Sequence, residues 1–189
     1  MDAAPPALLH AAAEVQRIAA WVQRGADNSG LPYLILDKKG ARLFVFSPQG
    51  KALANSPVLL GSTVGDESVP GIGDKPFSEV LATERTTPAG RFVTQPGRNL
   101  EGEEIIWLDY AAAVSIHRVR ANVPSERRLE RLASPSPADN RISFGCINVP
   151  VGFYQQYLLP VFARGRGVAY VIPEVMPLKL ALPGLTDSR

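Results

Sequence analysis

The chain has 189 residues, of which 46% are hydrophobic and 20% charged, and it carries a net charge of +2. That length and composition fit one ordinary globular domain and exclude a disordered or fibrous chain. So small a charge gives no argument for nucleic acid, and no apolar run approaches the roughly 20 residues of a membrane helix; a pI of about 8.8 suits a substrate bearing carboxylates.

Residues 7–24 read as a helix, because Leu8, Ala11, Val15, Ile18, Ala19 and Val22 recur at helical spacing. Pro6 suits the first turn and Gly25 the position just past the end. His10, in this helix, reads as a surface or packing residue. Met1-Asp2-Ala3-Ala4-Pro5-Pro6 has neither the basic region nor the apolar core of a signal peptide. The start therefore fits either a cytosolic N-terminus or a mature exported chain preceded by a start codon. Strands are predicted at 33–37, 42–46 and 54–60, separated by turns at 38–40 and 47–50, which makes a β-meander. With 17 prolines and 16 glycines the elements must be short and the turns many, so the fold class is mostly β.

Residues 61–80 form a glycine- and charge-rich loop of a length that is uncommon unless functional or disordered. Pro88 and Gly90 then turn the chain into a strand at Phe92 and Val93. Strands follow at 105–108 and 113–116, the second ending on His117. Residues 118–142 are a long excursion with a short helix, for which Ser125 is the expected N-cap. Leu129, Leu132 and Ala133 share its apolar face, while Arg127, Arg128 and Arg131 point elsewhere as a solvated face. A helix is predicted over 153–162, with Pro160 near its end, and a last strand over 168–172.

The chemistry concentrates at Ser143-Phe144-Gly145-Cys146-Ile147-Asn148, which holds the single cysteine. One cysteine excludes an intramolecular disulfide, and an odd thiol in an exported chain stands out as reactive. Gly145 allows close approach of the backbone to a substrate carbonyl, amide N–H groups beside Cys146 could face a developing oxyanion, and His117 could take the thiol proton or pair with the thiolate. On the residues alone, the other reading is a buried cysteine acting as a small hydrophobe.

These segments, in this order, resemble the L,D-transpeptidases of the YkuD type, which remodel bacterial peptidoglycan. The family signature is a histidine, a spacer, then serine or threonine, usually histidine, glycine, cysteine, a hydrophobic residue, and asparagine or arginine. Here it reads His117, a spacer, then Ser143 to Asn148. Residues 34–46 look like the family's opening hairpin and 57–61 like its next strand. Thr87-Pro88-Ala89-Gly90-Arg91-Phe92 is similar to its threonine-proline-x-glycine-x-phenylalanine turn, and 168–172 to its closing strand. The resemblance covers about residues 32–173. It implies a YkuD-like β-sandwich or set of curved sheets with short helices, preceded by the N-terminal helix. The implied division is a helical extension over 1–31, a catalytic domain over 32–175 and a tail over 176–189.

The resemblance also implies a thioester mechanism. Cys146 would attack a donor stem peptide and expel a D-amino acid, and a side-chain amine of an acceptor stem would then take the acyl group. His117 would be the base or imidazolium partner, oriented by a backbone carbonyl, with no part for Asp109. Gly145 and Cys146 would supply oxyanion N–H groups, flanked by Ser143 and Phe144. Asn148, Arg118, Arg141 and Tyr110 would contact substrate, with Arg120 as another candidate clamp and Trp107 in the core. No metal or cofactor is implied. The partners would be peptidoglycan stem peptides, met by a monomer in the periplasm, and carbapenems would acylate the thiol as they do in the family.

Three features depart from the family pattern. Phe144 stands where most members have a second histidine, Arg118 follows His117 where glycine is common, and the spacer before Cys146 is long. These departures look similar to a divergent proteobacterial branch that makes 1,3 instead of 3,3 cross-links. An L,D-carboxypeptidase or a protein-to-murein attachment enzyme is the alternative within the family. Outside it stand a peptidoglycan-binding module without chemistry and an ordinary cysteine peptidase.

Overall fold

Eight strands form one sheet in the computed structural model, which describes Leu8, residues 11–162 and residues 164–185. In chain order the ten strands of the described residues are β1 (Tyr33–Asp37), β2 (Arg42–Phe46), β3 (Ala52–Pro57), β4 (Leu60–Gly61), β5 (Gly90–Arg98), β6 (Glu104–Asp109), β7 (Val114–Arg118), β8 (Arg141–Ser143), β9 (Ile147–Val149) and β10 (Gly167–Ile172). The sheet runs β3-β2-β1-β10-β5-β6-β7-β9, with β4 and β8 as a separate pair. Leu43 and Val45 from one end share a core with Ile116, Ile147 and Val149 from the other. Leu59, just past β3, exchanges backbone hydrogen bonds of 2.8 and 2.9 Å with Asn148 on β9. The fold is therefore mostly β: a large, curved, nearly closed sheet with a few short helices.

Strands β1, β2 and β10 have core on both faces, which explains their near-continuous apolar sequences. Successive side chains alternate across a strand. Leu34, Leu36, Leu43, Val45, Ala169 and Val171 enter the enclosed core with Tyr154, Leu158 and Phe162. Tyr33, Ile35, Phe44, Phe46, Val168, Tyr170 and Ile172 face outward, where helix α1 (Ala13–Gly25) lays Val15, Ile18 and Val22 over them. Each of these three is fully buried, contributing roughly 1.5–3 kcal/mol apiece. The C-terminal segment adds Ala181, Leu182 and Leu185 to the same cluster. His10 lies outside the described residues.

Several local expectations are corrected. Gly25 is the last helical residue, and the left-handed position beyond α1 belongs to Ala26 at φ 49°. Ser125 does not cap the insert helix. It belongs to a 3-10 turn, Pro124–Glu126, after which Arg127 takes φ 50° and precedes α2 (Arg128–Ala133). Leu132 alone of the expected apolar face is buried, against Leu59 and Val119; Leu129 is 58% exposed. The loop after β4 contains three 3-10 turns, Ile72–Asp74, Phe77–Glu79 and Ala82–Glu84. The helix after β9 spans α3 (Val151–Phe153), a wider π-helical turn (Tyr154–Leu158) and α4 (Leu159–Phe162). Pro160 lacks the N–H that regular spacing would use. One more short helix, α5 (Leu178–Ala181), follows β10.

Candidate active site

Parallel pairing of β7 with β9 brings the two halves of the signature together, with His117 opposite Asn148 and Ile116 opposite Ile147. Parallel neighbours need a crossover of a dozen or more residues. The stretch between them, including α2, is that crossover.

The turn into Cys146 is built on Ser143. Its hydroxyl donates to the Cys146 carbonyl at 2.6 Å and accepts the Gly145 N–H at 3.1 Å. Gly145 has φ 132°, and a Cβ there would lie 2.6 Å from the Thr86 carbonyl oxygen, so only glycine fits. Thr87, buried in the Thr-Pro-x-Gly-x-Phe segment, donates to the Gly145 carbonyl at 2.8 Å and accepts the Gly61 N–H at 2.9 Å. Three chain segments are thereby fixed to one loop. The Gly145 N–H is committed to Ser143, so the Cys146 N–H is the remaining backbone donor of the expected pair.

Cys146 is half-buried. Its thiol donates to the Ala113 carbonyl at 3.5 Å, while its sulfur accepts the Ser115 N–H at 3.5 Å and lies 3.7 Å from the Ser115 hydroxyl. Burial pushes the thiol up, but the hydrogen bond and charge of His117, helped by Ser115, outweigh it and hold Cys146 below the ordinary thiol range. His117 Nδ1 lies 2.8 Å from the Arg118 carbonyl oxygen. A carbonyl only accepts, so Nδ1 carries a proton, and in the neutral ring Nε2 is the nitrogen that can take one. The orienting group is a backbone carbonyl, and Asp109 takes no part; it caps its own turn through the Ala112 N–H at 3.1 Å. A low-lying thiol beside an imidazole can pass its proton to the ring, attack a carbonyl as the thiolate and have that proton returned to a leaving amine.

The other sequence-predicted residues divide. Asn148 is fully buried and does not line a cleft. Its Nδ2 reaches His117 Nε2 at 3.2 Å and the Cys146 carbonyl at 3.3 Å, and its Oδ1 accepts from Arg128 at 2.6 Å. Arg141 is locked to Glu174 and to the Lys38 carbonyl, its side chain 14% exposed. Arg118 donates to the Glu104 carbonyl at 3.2 Å and lies 4.3 Å over the Tyr154 ring. Arg120 pairs with Glu101 and Glu103 on the surface. Each candidate clamp already has its acceptor, because carboxylates on neighbouring strands and loops lie closer than any cleft. Tyr110 is exposed and meets Trp107 edge-on at 5.0 Å. Trp107 alternates with the core residues Ile106 and Leu108, so it lies half-buried on the opposite face.

Phe144 stands between Phe77, edge-on at 5.3 Å, and Arg85, whose guanidinium lies 3.9 Å over its ring. Sequence reasoning named Thr87 only within a turn motif and missed the parts of Arg85, Ser115 and Arg128. Ser115 alone had a readable signal, since it lies two residues before His117 on one strand and shares its face.

No protein-family model matches the sequence, and no curated protein matches it. Among solved structures, the chain is similar to LD transpeptidase LdtMt1 in complex with imipenem, at 17% identity and a TM-score of 0.45, over 75% of this chain and 58% of that one. It is also similar to the catalytic domain of an E. faecium L,D-transpeptidase, at 17% identity and a TM-score of 0.38, over 74% of this chain and 95% of that one. The chain spans 58% of the length of the first of these.

Proposed function

We propose that the protein is a peptidoglycan L,D-transpeptidase in which Cys146 is the nucleophile and His117 the general base. The observation that carries this reading is the His117–Cys146 pair itself: a thiol that His117 holds below the ordinary range, beside an imidazole whose Nδ1 proton is fixed on the Arg118 carbonyl. The signature residues and the Thr87 segment meet at this pair, which supports the same reading.

In the proposed reaction, His117 Nε2 takes the Cys146 proton and the sulfur bonds to the donor carbonyl carbon. The Cys146 N–H faces the oxyanion. As the tetrahedral intermediate collapses, the C–N bond breaks and the amine of the leaving group, a D-amino acid for a 3,3 link or the rest of the donor stem for a 1,3 link, takes the proton from His117. The thioester is then attacked by a side-chain amine of an acceptor stem, which loses a proton to His117, and Cys146 leaves as the thiolate. The donor bond we favour is the one giving a 1,3 cross-link, on the strength of Phe144 and the long crossover. We propose a periplasmic location, where such a substrate would be met.

The test is to incubate the protein with purified muropeptides and to weigh and fragment the products. Wild type is expected to form dimers that vanish in Cys146→Ala, and fragmentation distinguishes 1,3 from 3,3 links. Monomer shortening without dimers would mean a carboxypeptidase. Identical product spectra from wild type and mutant would refute the enzyme reading and favour a binding module. In parallel, imipenem is expected to add its mass to the wild type and not to Cys146→Ala.

A further inference from the structure

Asn148 presents three polar contacts in a fully buried position, and its orientation is decided by chemistry. A guanidinium has no acceptor. The atom 2.6 Å from Arg128 Nη1 must therefore be the amide oxygen, which turns the NH2 group toward His117 Nε2 at 3.2 Å and the Cys146 carbonyl at 3.3 Å. An NH2 group only donates, so Nε2 must be an acceptor. The contact of His117 Nδ1 with the Arg118 carbonyl puts a proton on Nδ1, as that tautomer does. Arg128 is itself held by Glu126 at 2.5 Å, with its side chain 14% exposed.

We infer that Arg128, from the helix in the crossover, is a positioning residue that sets the tautomer of the base through Asn148. The inference rests on the reading of His117 as the base of Cys146. With Arg128 in place, the Asn148 NH2 group faces Nε2 and favours the Nδ1–H tautomer, in which Nε2 is the basic nitrogen. Without Arg128, Asn148 can turn its oxygen to Nε2 and stabilise a proton on it. The ionisable groups around His117 are Cys146 on the nucleophile loop, Arg128 with Glu126 on the crossover, and Arg118 with Glu104 across β6. Replacing Arg128 acts on the ring through Asn148, while the Arg118 carbonyl contact on Nδ1 does not involve it.

The measurement is nitrogen-15 NMR of the histidine rings against pH, which is tractable because the chain has two histidines. In the wild type at neutral pH, Nδ1 should show the protonated shift and Nε2 the unprotonated one. In Arg128→Met, with the fold verified by near-UV circular dichroism, the two shifts should move toward a tautomer mixture and the titration midpoint should rise by about one pH unit or more. Arg128→Lys, which keeps a cationic donor, should restore much of the wild-type pattern. Imipenem acylation of Arg128→Met should slow about tenfold or more, as expected when a base presents the wrong tautomer. If Arg128→Met does not fold, Asn148→Asp provides the same test, because a carboxylate accepts from Nε2–H and must raise the midpoint. Unchanged tautomer and midpoint in a folded Arg128→Met or Asn148→Asp would overturn the inference. A wild-type thiol that imipenem leaves untouched would instead overturn the dyad, whatever the rings show.

Discussion

At Gly145 the backbone and its surroundings make the same demand. A φ of 132° suits glycine, and the Thr86 carbonyl oxygen occupies the space of a Cβ. Backbone oxygen cannot move aside as a side chain does. Gly145→Ala should therefore cost about 1–3 kcal/mol, seen as a lower urea midpoint, and the iodoacetamide reactivity of Cys146 should fall toward that of a free thiol. Gly152→Ala is the control, since nothing lies within 4 Å of its Cβ position; its midpoint should be unchanged or higher. Equal effects at the two positions would remove Gly145 from the argument. Cys146 was readable because a lone cysteine between glycine and a strand is a local pattern. Asn148 was expected to contact substrate and lies buried against Arg128, since sequence does not reveal that an asparagine on a parallel strand meets an arginine 20 positions away.

Among the elements, the loop between β4 and β5 lies against the nucleophile turn through Phe77 and Arg85 on Phe144. An aromatic pair contributes about 0.5–1.5 kcal/mol and a cation–π contact a comparable amount. Phe144→Ala should therefore release this loop, and chymotryptic cleavage after Phe77 or Leu81 should accelerate about tenfold while the global unfolding midpoint moves little. Cleavage unchanged by the substitution would separate the loop from Phe144. The strands were legible because they obey period two or are apolar throughout. The arginines of the crossover were not. Helical spacing predicted a solvated face for all of them, yet Arg128 turns inward to Asn148 while Arg127, with its side chain 69% exposed, pairs with Glu130.

Over the whole molecule, a buried ionic cluster ties the β1–β2 turn, the β4–β5 loop, β8 and the segment after β10. Lys38 is fully buried, with Asp66 at 2.8 Å and Glu174 at 3.3 Å. Asp66 also accepts the backbone N–H groups of Glu174, Val175 and Met176 at 2.7–2.8 Å. Burial pushes the Asp66 carboxyl up, but Lys38 and the three N–H groups outweigh it and hold it at about 2. Because the folded value lies below the unfolded one, this stabilisation is complete above about pH 5 and is lost as pH falls through 2, amounting to about 2 kcal/mol. Urea midpoints measured from pH 6 to pH 2 should decline over that window, and Asp66→Asn should flatten the decline. An undiminished acid limb in the mutant would assign it to other carboxyls. A lysine in a turn reads as exposed, and nothing in Lys38-Lys39-Gly40 announces acceptors supplied from residues 65, 66 and 87.

The outer aromatic face of β1, β2 and β10 is covered jointly by α1 and the C-terminal segment, where a Cβ on Gly184 would lie 3.1 Å from the Trp21 ring. Neither cover is redundant. Trimming the chain to residues 32–175 would uncover Tyr33, Phe44, Phe46 and Tyr170 together, an adhesive surface that invites self-association. Recombinant forms meant for crystals or assays should keep both ends, and light scattering on trimmed and untrimmed protein would reveal which end shields more of the face.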